Sequence, residues 1–169
     1  IVHHTPLPVY WQSIYEFTNL RREFGRIVDQ ATALGRELFS GLFEEFPDLV
    51  FIHTMFGGNW FANQQLTTPH KSKKNEALNR FDTTEADRIQ HYLEHNIFYD
   101  MTHPASWGKE QVECAIKVCG ADHMLFGSSF PVVYSWMSDG AEFVKQLDIT
   151  EEQRELILSG NARRLFRLA

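Results

Sequence analysis

The sequence alternates short apolar runs with longer amphipathic stretches. Four apolar runs have the length and near-continuous hydrophobicity of buried strands: IVHH at 1–4, LVFIH at 49–53, IFYDMT at 97–102 and HMLF at 123–126. Amphipathic stretches at 24–46, 83–96 and 109–118 separate them, and we predict that Pro47 ends the first helix and Gly120 the third. Strands separated in this way by helices predict an α/β fold with about four parallel strands covered by helices.

The sequence after the fourth run is predicted to be helical. One helix is expected at about 140–147, and a second begins where Thr150 and Gln153 have the spacing of a capping box. NARRLF at 161–166 predicts a terminal helix. With 43% hydrophobic residues in 169, the chain is long and apolar enough for one globular domain over 1–169.

Charge and cysteine content exclude several classes of protein. A net charge of -6 argues against nucleic acid or an anionic membrane as partner, and no apolar run approaches the ~20 residues of a membrane span. Cys114 and Cys119 are five positions apart, which turns them away from each other on a helix. We therefore expect both to be small core residues without a disulfide, in a reducing compartment, and a cytoplasmic protein.

Polar side chains of acid-base or metal-ligand type stand where the predicted strands end. They are His3, His4, His53, Asp100, Ser128 and Ser129. In parallel α/β folds, ligands gather at the carboxyl ends of the strands. This edge of the sheet is the predicted functional site. For Asp100 two roles stay open: acid or ligand, or capping of its own loop.

Three segments carry a resemblance to a known family. GLFEEFPDLVFIHTMFGG at 41–58, GADHMLFGSSFP at 120–131 and LSGNARRLFRL at 158–168 resemble, in order, three motifs of the amidohydrolase-related metal enzymes. That group includes aminocarboxymuconate-semialdehyde decarboxylase and the aromatic acid decarboxylases. The resemblance implies a (β/α)₈ barrel, of which this chain aligns with the carboxyl-terminal half. We expect the first four strands to come from another segment or subunit.

The resemblance also implies a set of site residues around a divalent metal, zinc or alternatively manganese. Family members carry an H-x-H pair on the first strand, which is absent here, and a further histidine ligand that falls on His3 or His4. The catalytic histidine after the sixth strand falls on His53, beside a Gly57-Gly58 pair expected to allow close approach of a ligand. The aspartate ligand falls on Ser129, whose neutral hydroxyl is a poor ligand and a poor base.

Two classes of function remain open at this point. The first is part of a metal-dependent decarboxylase or hydrolase for a small carboxylated, possibly aromatic substrate, with His53 as general acid or base. Ser128 and Ser129 would then hold the substrate carboxylate or the loop backbone. The second is a catalytically degenerate half-barrel with a role in assembly. In both cases we expect an oligomer, because four parallel strands leave open edges and an apolar inner face.

A separate motif offers a competing metal site. HYLEH at 91–95 matches the H-x-x-E-H pattern, in which two histidines one helical turn apart bind zinc and the glutamate acts as base. Three fixed residue types in five positions arise easily by chance. The segment is expected to be the solvated surface of a helix.

Overall fold

A computed structural model describes residues 1–3, 18–67, 83–102 and 104–169. Its sheet has three parallel strands, β1 (Phe51–His53), β2 (Ile97–Asp100) and β3 (Met124–Leu125), in that spatial order. Val2 adds a parallel bridge to His53, with its N–H donating to the Ile52 carbonyl at 2.8 Å. The predicted parallel α/β arrangement is confirmed. Within the described residues, the first predicted strand is represented by this bridge.

Helices pack against both faces of the sheet. In the described part of the chain they are α1 (Thr18–Phe39), α2 (Leu42–Glu45), α3 (Met55–Thr67), α4 (Thr83–His95), α5 (Lys109–Cys119), α6 (Ser135–Lys145), α7 (Glu151–Glu155) and α8 (Asn161–Phe166). A π-helical turn, Leu156–Gly160, joins α7 to α8. The capping box of α7 forms as predicted, since the Thr150 hydroxyl accepts from the Gln153 N–H at 3.2 Å and the Gln153 side chain reaches back.

Two of the predicted helices have different bounds. The helix expected over 24–46 is broken at Gly41, whose φ of 78° takes the chain out of the right-handed helical region and separates α1 from α2. The helix expected from about 140 begins earlier, at Ser135. Gly140 lies inside it because Phe126 packs on this position, where a Cβ would be 2.9 Å from the ring. A glycine that suggests a helix boundary in the sequence is here required by packing.

The sheet has two faces with different coverings. The outer face carries Ile97, Tyr99 and Met124, which pack with residues of α1 to α5 in the main hydrophobic core. The inner face carries Ile52, Phe98 and Leu125, and these pack with Ala162 and Leu165 of α8 in a smaller cluster. Because side chains alternate along a strand, each strand contributes to both clusters.

Two buried asparagines fix the amino edge of the sheet. The Asn96 amide, just before β2, donates to the carbonyls of Pro47 and Leu49 at 2.8 Å each. The Asn161 amide, at the start of α8, donates to the carbonyls of Ala121 and Met124 at 2.7 Å each. Each amide satisfies two backbone carbonyls at or before the start of a strand, which would otherwise lack this donor.

Candidate functional site

His53 ends β1, and its side chain lies on the outer face, fully buried. Its Nδ1 is 3.3 Å from Gln30 Oε1, and its Nε2 is 2.6 Å from Glu37 Oε2. Gln30 and Glu37 are seven positions apart on α1, so they lie on one face of that helix, two turns apart. The imidazole therefore ties β1 to α1, and both of its nitrogens are engaged away from the inner face.

The chain leaves β1 through a left-handed turn. Met55, Phe56, Gly57, Gly58 and Asn59 all have positive φ, between 52° and 68°. Such a run is unfavourable for residues with a Cβ and must be held in place by packing. The segment is well packed, because Met55 and Phe56 are both buried.

Gly57 and Gly58 approach protein rather than open space. A Cβ on Gly58 would lie 2.1 Å from the carbonyl oxygen of Ile27 and 2.5 Å from the N of Ala31, both in α1. A Cβ on Gly57 would lie 2.8 Å from a methyl of Leu34. The close backbone approach expected at these glycines is therefore real, but its partner in this structure is helix α1 and not a ligand.

The inner face ends in two polar residues at the carboxyl edge of the sheet. Strand alternation puts Thr54 on the face of Ile52, and Asp100 on the face of Phe98. Asp100 Oδ1 accepts from the Thr102 N–H at 2.7 Å, and Oδ2 accepts from the Thr102 hydroxyl at 2.6 Å. The carboxylate thus caps the turn that follows its strand. Thr54 Oγ1 is buried and has no hydrogen-bond partner within the described ranges.

The loop after β3 lies beside Asp100. A Cβ on Gly127 would fall 1.9 Å from Asp100 Oδ1, so only a glycine allows the carboxylate to pack against this backbone. Ser128 Oγ accepts from the Phe130 N–H at 3.3 Å, which is the loop-holding role that the sequence left open for it. Ser129 is half-buried, with a left-handed φ of 54°. Its hydroxyl thus stands at the same edge as Asp100 and Thr54.

Of the two predicted histidine ligands, the structure describes only His3. His3 is exposed and follows Val2, which pairs with β1, so it lies at the same edge of the sheet. His4 lies outside the described residues. Across the described ranges, no three side chains of histidine, cysteine, aspartate or glutamate are grouped so that they could hold a metal ion. The hydroxyl of Ser129, which the resemblance assigns to the aspartate position, is uncharged.

The competing motif on α4 is a surface feature. The rings of His91 and His95 stack with centroids 4.2 Å apart, and His95 Nδ1 is 2.9 Å from the His91 carbonyl oxygen. Both side chains are exposed. In this arrangement a ring nitrogen of His95 serves its own helix, as expected for solvated helix surface.

The outer face also holds a partly buried thiol, Cys119, beside the phenol of Tyr99. Burial raises the pKa of Cys119 to about 12, and burial followed by the neighbouring Cys119 raises that of Tyr99 well above its usual value. Both groups are thus neutral at physiological pH. Both cysteines are free thiols. The expectation that both lie in the core is wrong for Cys114, which is exposed on α5.

Comparison with known proteins decides the family. The family model described as Amidohydrolase matches residues 1–168. The chain belongs to the amidohydrolase family. A search of curated proteins finds no match to it. In the described part of the chain, no helix is long and apolar enough to cross a membrane.

Solved structures of amidohydrolase-type decarboxylases share the fold. A dihydroxybenzoic acid decarboxylase from Polaromonas sp. JS666, with bound manganese and 2-nitroresorcinol, superposes with a TM-score of 0.78 at 22% identity, over 99% of this chain and 49% of that one. A 2,6-dihydroxybenzoate decarboxylase from Rhizobium gives 0.79 at 24% identity, over 99% and 50%. For a 5-carboxyvanillate decarboxylase from Sphingomonas paucimobilis the values are 0.70 at 18%, over 99% and 49%.

These similarities establish the predicted fold class. The chain has the α/β fold of one half of an amidohydrolase barrel, and it spans about half the length of the solved structures that it matches. No sequence motif indicates Thr54, Gln30 or Glu37 as a residue of the site. Strand alternation could have indicated Thr54, because it follows the inner-face residue Ile52 by two positions.

Proposed function

We propose that this chain forms the carboxyl-terminal half of an amidohydrolase-type enzyme that decarboxylates a small aromatic carboxylate. Support comes from its similarity, over 99% of its length, to one half of several aromatic acid decarboxylases. The polar groups at the carboxyl edge add to this, since barrel enzymes keep their reacting groups at that edge. The other half of the barrel would come from a separate segment or subunit.

A divalent metal, zinc or manganese, would belong to the complete site. The described residues do not fit a metal by themselves, because no three ligand-type side chains are grouped and Ser129 is neutral. We therefore derive no chemical step through the metal. His3 and His4 remain proposed ligands, to be completed by residues of the first half.

The residues at the carboxyl edge are assigned to substrate binding. The hydroxyls of Ser129 and Thr54 can each donate one hydrogen bond to a carboxylate. Asp100, held by Thr102, supplies a fixed negative charge beside the loop of Ser128 and Ser129. A phenolic hydroxyl of the substrate is a suitable donor to such a carboxylate.

His53 can have either a catalytic role or a structural role, in which it ties β1 to α1. To act as general acid or base, an imidazole must come within hydrogen-bond reach of the reacting group. In this structure its nitrogens contact Gln30 and Glu37 on the outer face. The catalytic role therefore requires a rearrangement around α1, whereas the structural role requires none.

A second candidate function is a degenerate half-barrel kept for assembly. The replacement of the family aspartate by Ser129 favours it, because a neutral hydroxyl neither binds zinc well nor accepts a proton near pH 7. In that case the protein would bind neither metal nor aromatic carboxylates.

Metal content and turnover of the purified protein distinguish the two functions. The measurements are elemental analysis, with a check for a co-purifying polypeptide that carries H-x-H, and release of CO₂ from a panel of hydroxybenzoates. One metal per barrel with release of CO₂ supports the enzyme, and absence of both supports the degenerate protein.

Ser129→Asp should raise affinity for Zn²⁺ or Mn²⁺ by restoring a charged oxygen ligand. Ser129→Asn, neutral and of similar size, is the matched control.

A further inference from the structure

Two histidines near the carboxyl end of α4 lie one helical turn apart. His91 and His95 are four positions apart, and both side chains are exposed. Residues at this spacing lie on the same face of a helix, with their Cβ atoms about 5–6 Å apart. The two rings stack with their centroids 4.2 Å apart and their planes inclined by 28°. The helix itself thus brings together two imidazoles, which we call the α4 histidine pair.

One hydrogen bond orients a ring of the pair. His95 Nδ1 is 2.9 Å from the carbonyl oxygen of His91, and because a carbonyl can only accept, Nδ1 carries the proton. In a neutral imidazole the lone pair then belongs to Nε2. Histidines that bind metals usually donate their other ring N–H in this way, which fixes the tautomer and the orientation of the ring. Nε2 of His95 therefore carries the lone pair that a metal ion needs.

The helix that carries the pair is fixed on its other face. Ile89, Tyr92 and Leu93 are buried in the main hydrophobic core. Asn96 follows His95 directly and donates to two backbone carbonyls before β1, so the last turn of α4 is tied to the body of the protein. Ligands on a rigid element lose little conformational freedom when they bind an ion, which favours affinity.

The geometry fits an open metal site with two protein ligands. A tetrahedral zinc ion with Zn–N bonds of about 2.0–2.1 Å needs its two nitrogens roughly 3.3 Å apart. Rings with centroids 4.2 Å apart can reach that spacing by rotation of the side chains, without a change in the helix. The Glu94 carboxylate accepts from the Gln90 amide, and within the described ranges no third ligand-type side chain completes the set. Water is left to fill the other positions of the ion, which makes the ion exchangeable.

We propose that the α4 histidine pair binds one divalent transition-metal ion of the kind that imidazole favours, Zn²⁺, Ni²⁺ or Cu²⁺, in an exchangeable site. The pair lies at the amino edge of the sheet, since α4 ends directly before β2, whereas the polar groups assigned to substrate binding stand at the carboxyl edge. The site is therefore separate from the metal of the proposed reaction and does not rest on the proposed function. The bound ion stabilises the folded chain, because the unfolded chain does not hold the two rings together.

Calorimetric titration of Zn²⁺ into the metal-stripped protein tests this site. We expect one ion per chain at the pair, and His91→Asn and His95→Asn should each lower its affinity by about tenfold or more, because a single imidazole cannot chelate. Gln90→His combined with His91→Gln keeps the number of histidines but separates them by five positions, which turns the rings away from each other. This matched variant should lose affinity equally, whereas Glu94→Gln should keep it.

Two further measurements make the test decisive. In NMR spectra, Zn²⁺ should move the ring signals of His91 and His95 together and leave those of buried His123 in place. In urea denaturation, Zn²⁺ should stabilise the wild type more than His91→Asn, and the two should unfold alike in metal-free buffer. Circular dichroism establishes that each variant is folded.

The results that would overturn the proposal are equally specific. They are absence of the shared shift of the two rings, a variant of either histidine or of their spacing that binds Zn²⁺ as tightly as the wild type, and half an ion per chain with a metal-dependent dimer. An ion bound instead at His3 and His4 would survive all the changes on α4, so failure of this site is distinguishable from failure of the proposed function.

Discussion

Replacing His53 by asparagine separates its two possible roles. Asparagine keeps an amide near the position of Nδ1, which faces Gln30, but it is too short to replace Nε2, so the contact to Glu37 is lost. Gln30 is 1% exposed, and the side chain of Glu37 is 15% exposed, so neither group can turn fully to water. The lost bond is to a carboxylate, which is among the stronger kinds of hydrogen bond.

The expected cost follows from these contacts. A buried hydrogen bond to a charged group contributes about 1.5–3 kcal/mol, and a neutral one about 1 kcal/mol. Because the bond to the Glu37 carboxylate is the one lost, we expect His53→Asn to lower the free energy of unfolding by about 1.5–3 kcal/mol, which corresponds to a fall in Tm of roughly 3–12 °C in a domain of this size. His91→Asn, an identical change on the exposed surface of α4, should alter stability by less than about 0.5 kcal/mol.

Urea denaturation and turnover, measured on the same preparations, distinguish the two roles. A double-mutant cycle with Glu37→Gln should give a coupling of about 1 kcal/mol or more, since the two side chains are in direct contact. Stability within about 0.5 kcal/mol of wild type, with turnover reduced by about 10² to 10⁴, would refute the structural argument and establish the imidazole as an acid or base.

Three other changes test the packing and the buried thiol. Gly58→Ala should cost more than about 3 kcal/mol, because its methyl would lie 2.1 Å from the Ile27 oxygen, whereas Gly35→Ala, with its nearest contact at 3.4 Å, should cost under about 1 kcal/mol in urea denaturation. Burial raises the pKa of Cys119 from 9.0 to about 12, so the unfolded thiol ionises first. The free energy of unfolding that the neutral thiol contributes is therefore fully present below pH 9. It should fall by up to about 1.4 kcal/mol per pH unit between pH 9 and about 12. Cys119→Ala should flatten this slope in denaturation curves measured across that range. Asn161→Ala should lower the unfolding free energy by about 2–4 kcal/mol in the same assay, because the carbonyls of Ala121 and Met124 lose their buried donor.

Most helices and strands of the fold could be predicted from the sequence, because hydrophobic periodicity and helix-capping residues are local patterns. Patterns of a few residues predict strands β1, β2 and β3. They also predict α5 with its Gly120 cap and the capping box at Thr150. Helix α3 was missed, because it begins with five residues of positive φ that no helical pattern predicts. That conformation depends on α1, which precedes it by many residues, so its cause is tertiary.

The candidate site was harder to predict, for a reason that lies in strand geometry. The motif FIHTMFGG indicates that His53 stands at a strand end, but it does not indicate the face. A displacement of one residue moves a side chain from the inner to the outer face. His53 packs on α1, and strand alternation gives the inner position to Thr54, two residues after the inner-face Ile52. The acidic partner that holds His53 belongs to a helix sixteen residues earlier, and no local pattern reveals it.

The left-handed turn after β1 has a consequence for the order of folding. A left-handed conformation costs roughly 1–2 kcal/mol for each residue with a Cβ, and Met55, Phe56 and Asn59 all carry one. Nothing offsets that cost until α1 presents the backbone groove that receives Gly58. The turn should therefore form late, after the transition state that docks α1 on the sheet. Substitutions at Gly57 and Gly58 should then accelerate unfolding and leave the refolding rate nearly unchanged.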